Sequence, residues 1–235
     1  MQALIFDCDG VLVDTERDGH RVAFNAAFKA IGWETEWSVE RYGALLATAG
    51  GKERMRRHFD EMGWPVPEAG RDAAIASLHK LKTNLFMELI EGGALPLRTG
   101  IARIVDEAIS AKLKIAVCST SNERAVQSVV DKMLGAKRSR QIKVFAGDIV
   151  DKKKPDPAIY NLAAHDLGLD PGQCVVVEDS NNGLRAAKAA NMNCIVTISS
   201  YTADEDFKLA DRVVPELGDI PDRVITLSDL RALVR

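Results

Sequence analysis

Cysteine is scarce in this chain, long apolar runs are absent, and neither sign of charge dominates. The 235 residues hold four cysteines, Cys8, Cys118, Cys174 and Cys194. Their separations fit no metal-ligand motif, and they lie mostly in or beside apolar runs. This argues against a zinc module or a disulfide-stapled fold and for buried thiols in a reducing compartment. No apolar stretch is long enough to span a bilayer, and Met1 runs into an apolar segment without signal-like features. The expected location is the cytoplasm, or a plastid stroma where a transit peptide has been removed. With 31 basic and 34 acidic residues the net charge is -3, which gives no ground for a nucleic-acid or anionic-membrane partner. There is no internal repeat and no low-complexity tract.

What the chain does have begins at residue 7. Behind the apolar run Ala3-Leu4-Ile5-Phe6 the sequence reads Asp7-Cys8-Asp9-Gly10-Val11-Leu12-Val13-Asp14. A short apolar run ended by a glycine reads as a buried parallel strand, and ligands of open α/β sheets gather beyond the carboxyl ends of such strands. In extended geometry Asp7 and Asp9 leave on one face and Cys8 on the other. Two like charges so close need a cation between them, or one must keep its proton. An Asp-rich turn with Gly10 as its permissive residue is the plainer alternative.

Residues from about 15 to 95 carry helical spacing and no convincing strand. Val22, Ala23, Ala26, Ala27 and Ala30 mark one helix ending near Gly32, and further helices are predicted over 52–62 and 72–90. From residue 96 helices and strands alternate, with strands at 113–118, 144–146, 174–177, 194–197 and 212–214. This alternation predicts an α/β fold, a Rossmann-like doubly wound parallel sheet interrupted by an inserted all-helical cap domain. The expected division is 1–14 with 96–235 for the core and 15–95 for the cap, which could act as a lid hinged near Thr15 and Leu95-Pro96-Leu97.

Polar residues recur where the strands end. Ser119-Thr120-Ser121-Asn122 offers hydroxyls and backbone N–H groups at a helix start, a natural anion cradle and, more blandly, a helix cap. Lys152-Lys153-Lys154-Pro155 puts a lysine before a proline-fixed turn, although such runs are usually solvated. Glu178-Asp179 adds two carboxylates after the fourth strand. Each piece alone is weak, and their joint order along the chain is hard to reach by chance.

These four motifs resemble those of the haloacid dehalogenase superfamily of phosphohydrolases over essentially the whole chain. The resemblance implies Asp7 as a nucleophile that becomes an aspartyl-phosphate, and Asp9 as the acid/base that protonates the leaving alkoxide and then activates water. It also implies Ser119 and Lys154 as holders of the phosphoryl oxygens. A Mg²⁺ ion would be bound by Asp7, the backbone carbonyl of Asp9, and Asp179, with Glu178 in the outer shell or as an alternative ligand. Asp14 would orient the loop. The segments 14–21, 48–57 and 118–124 resemble the CbbY-type sugar phosphatases, whose members remove a phosphate from xylulose-1,5-bisphosphate, a Rubisco inhibitor. That likeness implies a small-molecule sugar phosphate as partner and a monomer.

In the cap, Gly50-Gly51-Lys52-Glu53-Arg54 would let backbone amides at Gly51, together with Lys52 or Arg54, approach a second anion. Glu16, His20 and Tyr42 are candidate contacts to sugar hydroxyls, and Ser119, Thr120 and Asn122 to the phosphate. The alternatives are a surface helix with Glu53 paired to Arg56 or Arg57, a β-phosphoglucomutase or another small phosphate-ester phosphatase, a phosphonate hydrolase using Lys52, and a non-catalytic phosphate binder.

Overall fold

Ala3-Leu4-Ile5-Phe6 has no exposed side chain, as a strand covered on both faces must. In the computed structural model, which describes residues 1–48, 51–147, 149–219, 221 and 224–234, these residues form β1 (Ala3–Phe6) at the centre of a sheet. The other strands are β2 (Lys114–Ser119), β3 (Ile142–Ala146), β4 (Cys174–Glu178), β5 (Asn193–Thr197) and β6 (Arg212–Val214). All pairings are parallel, in the order β3-β2-β1-β4-β5-β6. The connection reverses direction after β3, so the chain returns past β1 to lay β4 on its other side. Open sheets of this order are expected to bind ligands at that crevice, beyond the strands' carboxyl ends. The fold is thus the Rossmann-like α/β architecture that strand and helix alternation implies.

The chain separates into two compact units, residues 1–14 with 95–235, and residues 15–94. In the first unit the helices, numbered in chain order after those of the second unit, are α5 (Ile101–Ser110), α6 (Glu123–Met133), α7 (Gly135–Ser139), α8 (Ala158–Leu167), α9 (Asn181–Ala189) and α10 (Leu227–Arg231). Their starts are chemically marked. Asn122 caps α6 by accepting from Ala125 N, Ser180 caps α9 through Gly183 N, and Thr226 with Asp229 closes a capping box on α10. One face of the sheet packs Ala116, Cys118, Phe145 and Val176 against Ile159, Tyr160, Ala163, Leu184 and Ala187. All four cysteines are free thiols and buried.

The second unit is helical among its described residues. A π-helical turn (Thr15–His20) leads into α1 (Arg21–Ala30), followed by α2 (Val39–Leu46), α3 (Gly51–Met62) and α4 (Arg71–Glu91). Its core is aromatic. Phe24, Phe28, Trp37, Tyr42 and Phe59 are all at most 1% exposed, and Phe28, Trp37 and Phe59 meet edge to face with centroids 5.1–6.0 Å apart. Two helices lie outside the sequence expectation. α2 starts at the Ser38 cap and carries Tyr42 and Leu45 inward, a three-residue spacing too short to stand out. α7 is five residues with no buried side chain, hence no periodic signal. Among the described residues, no helix is long and apolar enough to cross a membrane.

Candidate functional site

Beyond β1 the chain leaves extended geometry at once, with Asp7 N donating to Val177 O of β4 at 2.9 Å and a bend at Cys8. Asp7 and Asp9 turn to different partners. Asp7 accepts from Lys154 Nζ at 2.6 Å. The same ammonium donates to Glu178 Oε1 at 2.6 Å and to Cys118 O at 2.9 Å. An ammonium has three donors, and all three are matched. Its side chain is only 8% exposed. Of three consecutive lysines, then, the last is drawn inside, Lys153 reaches Gly147 O at 2.6 Å, and Lys152 stays largely in solvent beside Asp156.

Asp7, Glu178 and Asp179 bring carboxylate oxygens within 4.8 Å of one another, all buried. Against these three carboxylates stand the Lys154 ammonium, which touches Asp7 and Glu178, and the Arg98 guanidinium, whose charge reaches Asp179. Burial pushes the Asp7 carboxyl up to about 8, with Lys154 opposing and Glu178 and Asp9 adding to the rise. Asp179 is pushed well above the usual carboxylate range by burial, then by Glu178 and Asp7. Lys154 keeps its proton. Burial works against its charge, but Asp7 and Glu178 outweigh that and raise it. A site with this excess of buried negative charge and only oxygen donors fits a hard divalent cation.

Two glycines make the arrangement possible. Gly10 has φ +80°, and a Cβ there would stand 2.0 Å from Asp179 Oδ2. At Gly183, in the first turn of α9, a Cβ would lie 1.9 Å from Glu178 Cδ and 2.0 Å from both its oxygens. The loop after β1 and the helix after β4 thus close directly onto the two neighbouring carboxylates.

Asp9 looks toward the second strand end. Its Oδ2 accepts from Ser121 Oγ at 2.5 Å, with Ser119 Oγ at 3.5 Å. Ser119 is 2% exposed and its hydroxyl accepts from Ser121 N at 3.1 Å. Thr120 offers its carbonyl to Lys153 at 3.4 Å, while Asn122 is exposed and spends its side-chain oxygen on the helix cap. Asp14 accepts from Ser200 Oγ at 2.5 Å, which ties down the end of the same loop.

Three participants were not singled out from the sequence. Arg98 spreads its guanidinium over the carbonyls of Gly10, Thr197, Ile198 and Pro215, with contacts of 2.6–3.1 Å to the last three, and braces the Gly10 loop against the end of β5. Ser121 belongs to a stretch noted only as a cradle. Tyr160, fully buried on α8, donates to Glu178 Oε1 at 2.5 Å. A tyrosine hydroxyl in an apolar helix stripe gives no local signal of what it will meet.

In the helical unit, Glu16, Tyr42 and Arg54 form one cluster. Tyr42 Oη donates to Glu16 Oε2 at 2.5 Å, Arg54 Nη1 donates to Tyr42 Oη at 3.0 Å, and Arg54 lies 3.5 Å from Glu16. His20 Nδ1 lies 3.0 Å from Lys82 Nζ, and burial, then Lys82, holds the imidazole well below its ordinary pKa. Lys52 is exposed in the first turn of α3, which begins at Gly51; Gly50 lies outside the described residues. The pairing of Glu53 with Arg56 or Arg57 that the alternative reading offered is replaced by Arg56 with Asp72 at 2.6 Å and Arg57 with Glu61 at 2.9 Å. Asp72, on α4, and Glu61, four residues after Arg57, offer carboxylates on the faces where these guanidinium groups emerge.

Residues 1–191 match the family model of haloacid dehalogenase-like hydrolases. The chain is 58% identical over 237 residues to the CBBY-like protein of Arabidopsis thaliana, covering 99% of this chain and 74% of that protein. It is 40% identical to protein CbbY of Rhodobacter capsulatus, covering 93% and 94% of the two chains. The crystal structure of CbbY from Rhodobacter sphaeroides in complex with phosphate matches with a TM-score of 0.77 at 38% identity, over 98% of this chain and 99% of that one. A mutant of that protein in complex with xylulose-(1,5)bisphosphate matches with the same score.

Proposed function

From the premise that the chain belongs to the haloacid dehalogenase-like hydrolases and is a phosphatase, we propose that it is a Mg²⁺-dependent sugar-phosphate phosphatase acting through an aspartyl-phosphate, with xylulose-1,5-bisphosphate as its substrate. The observation that carries this reading is the buried group of Asp7, Glu178 and Asp179 with Lys154 seated among them. The choice of sugar rests on the 38% identity to the protein whose mutant holds that bisphosphate.

Asp7 attacks the phosphorus in line, forming an acyl phosphate bond as the bond to the sugar oxygen breaks. Asp9 gives its proton to that oxygen. In the second half Asp9 takes a proton from water, whose oxygen attacks the phosphorus, frees inorganic phosphate and restores the Asp7 carboxylate. Lys154 and the Ser119 hydroxyl hold the phosphoryl oxygens, the lysine as a charge and the serine as a donor. Asp7, Asp179 and the Asp9 carbonyl would hold the metal. When bound, it offsets the negative charge that would otherwise keep a phosphate away from so many carboxylates. The polar cluster of Glu16, Tyr42 and Arg54, with Lys52, is assigned to the sugar hydroxyls and the second phosphate. A Rubisco-linked role follows from that substrate.

The test is phosphate release, with Mg²⁺ and with EDTA, across xylulose-1,5-bisphosphate, ribulose-1,5-bisphosphate, fructose-1,6-bisphosphate, phosphoglycolate and β-glucose 1-phosphate. Metal-dependent hydrolysis strongly favouring the first is the expected result. Conversion of β-glucose 1-phosphate to glucose 6-phosphate without net phosphate release would replace this reading with a mutase.

A further inference from the structure

Glu178 and Asp179 are adjacent and both buried, yet they are held in different ways. Asp179 packs against the Gly10 loop. Glu178 has donors on both oxygens. Its Oε1 accepts from Lys154 Nζ at 2.6 Å and Tyr160 Oη at 2.5 Å, and its Oε2 from Asp179 N at 3.1 Å, with Ser180 Oγ at 3.5 Å. A carboxylate has about four acceptor positions, and here the protein addresses them all. Gly183 lets α9 close over the same group.

Tyr160 is well built to hold this state. It is fully buried in the core between α8 and the sheet, so its hydroxyl has little freedom to turn elsewhere. Its ring lies 4.8 Å from Lys154 Nζ, so one side chain meets the lysine through its face and the lysine's carboxylate partner through its hydroxyl.

We propose that Tyr160 is a positioning residue that reserves Glu178 for Lys154 and keeps it from joining Asp7 and Asp179 as a third carboxylate on the metal. The proposal rests on the metal-dependent reading above and deepens it. With one Glu178 oxygen withdrawn, the cluster offers few protein oxygens, which suits the octahedral, partly hydrated coordination of Mg²⁺. Releasing that oxygen would add a ligand and move the site toward Ca²⁺, which takes six to eight oxygens in looser geometry.

The experiment is Tyr160→Phe, which keeps the ring and its packing and removes only the hydroxyl. Calorimetric titration of the metal-free protein with Mg²⁺ and with Ca²⁺ needs no substrate, and kcat and KM for phosphate release are measured beside it. The expected result is a Ca²⁺ to Mg²⁺ affinity ratio raised about tenfold and kcat lowered about tenfold, with KM unchanged, in line with the effect of removing an outer-shell partner. In a Glu178→Gln background the same substitution should leave the metal ratio unaltered, because Tyr160 acts through Glu178. An unchanged metal ratio in the single variant overturns the proposal whatever kcat does, since loss of the hydroxyl's bond to Glu178 could slow turnover without any change at the metal. Failure of the unsubstituted protein to bind either cation would overturn the metal reading itself, and with it this one. Should the single variant not fold, Glu178→Gln alone tests the proposal: a metal ratio near the parent's supports it, because Glu178 is already withheld from the metal, and a Ca²⁺ to Mg²⁺ ratio lowered several-fold, as loss of a ligand would give, overturns it.

Discussion

Lys154 Nζ stands 2.6 Å from Asp7 Oδ1, so the proposed nucleophile and the cation that would hold the phosphoryl oxygens are joined before any substrate arrives. Lys154→Met would leave Asp7 and Glu178 buried without that charge. Breaking a buried pair from one side costs roughly 3–5 kcal/mol. The expected outcome is a large loss of stability in urea unfolding, together with loss of phosphate release. A variant as stable as the parent would show that these carboxylates have another source of compensation.

Asp7→Asn should do the reverse. It removes a negative charge from a site with too many, so melting should rise or stay level, while phosphate release falls by on the order of 10³-fold or more. Release at an undiminished rate would rule out the covalent step.

Glycine substitutions separate the two carboxylates. Gly10→Ala meets both a left-handed backbone and the Asp179 carboxylate at 2.0 Å, and Gly183→Ala meets Glu178 at 1.9 Å with no left-handed φ. Both should lose activity about 100-fold or more. Gly70→Ala, with nothing within 4 Å of the added carbon, should leave activity and melting near the parent's.

Metal should stabilise as well as activate. A cation at a hundred times its Kd adds about 2.7 kcal/mol, or roughly 5–10 °C in Tm for a chain of this size. Mg²⁺ is expected to raise the melting temperature, EDTA to reverse the effect, and Asp179→Asn to blunt it. A melting curve indifferent to Mg²⁺ would count against a metal at this cluster.

Acid should weaken the helical unit. Burial, then Arg41, lowers His58 to about 4, and His20 is held well below its ordinary 6.5. Between those folded values and about 6.5 the unfolded chain binds protons that the folded chain refuses, so stability rises with pH through that window and falls on acidification below about 6.5. Melting at pH 7.5 against pH 5.0 measures it. A contribution from these residues should shrink in His58→Gln.

The sheet was legible because its strands are short buried runs ended by glycine or polar residues, and because helices separate them at regular intervals. Asp7, Ser119, Lys154 and Glu178-Asp179 could be found for the same reason, each at or after the end of a strand that announces itself. What escaped was contact between distant elements. Nothing near Arg98 says that its guanidinium will gather carbonyls from residues 10, 197, 198 and 215. Nothing near Tyr160 says that its hydroxyl will meet a glutamate eighteen positions later. Asp9 and Ser121 were each visible, but their 2.5 Å bond depends on a bend at Cys8 that extended spacing does not foresee.

The central strand β1 is made by residues 3–6, yet its partners begin at Lys114 and Cys174. During synthesis this segment must wait, unpaired and wholly apolar, while the helical block and most of the remaining sheet emerge. Long-range parallel pairing of this sort folds slowly and leaves strand edges open to other chains. The helical block can consolidate around its aromatic core first, whereas Asp7 reaches Lys154 only when the middle of the sheet closes. Poor recovery from rapid refolding at high protein concentration is therefore the weakness that this topology carries.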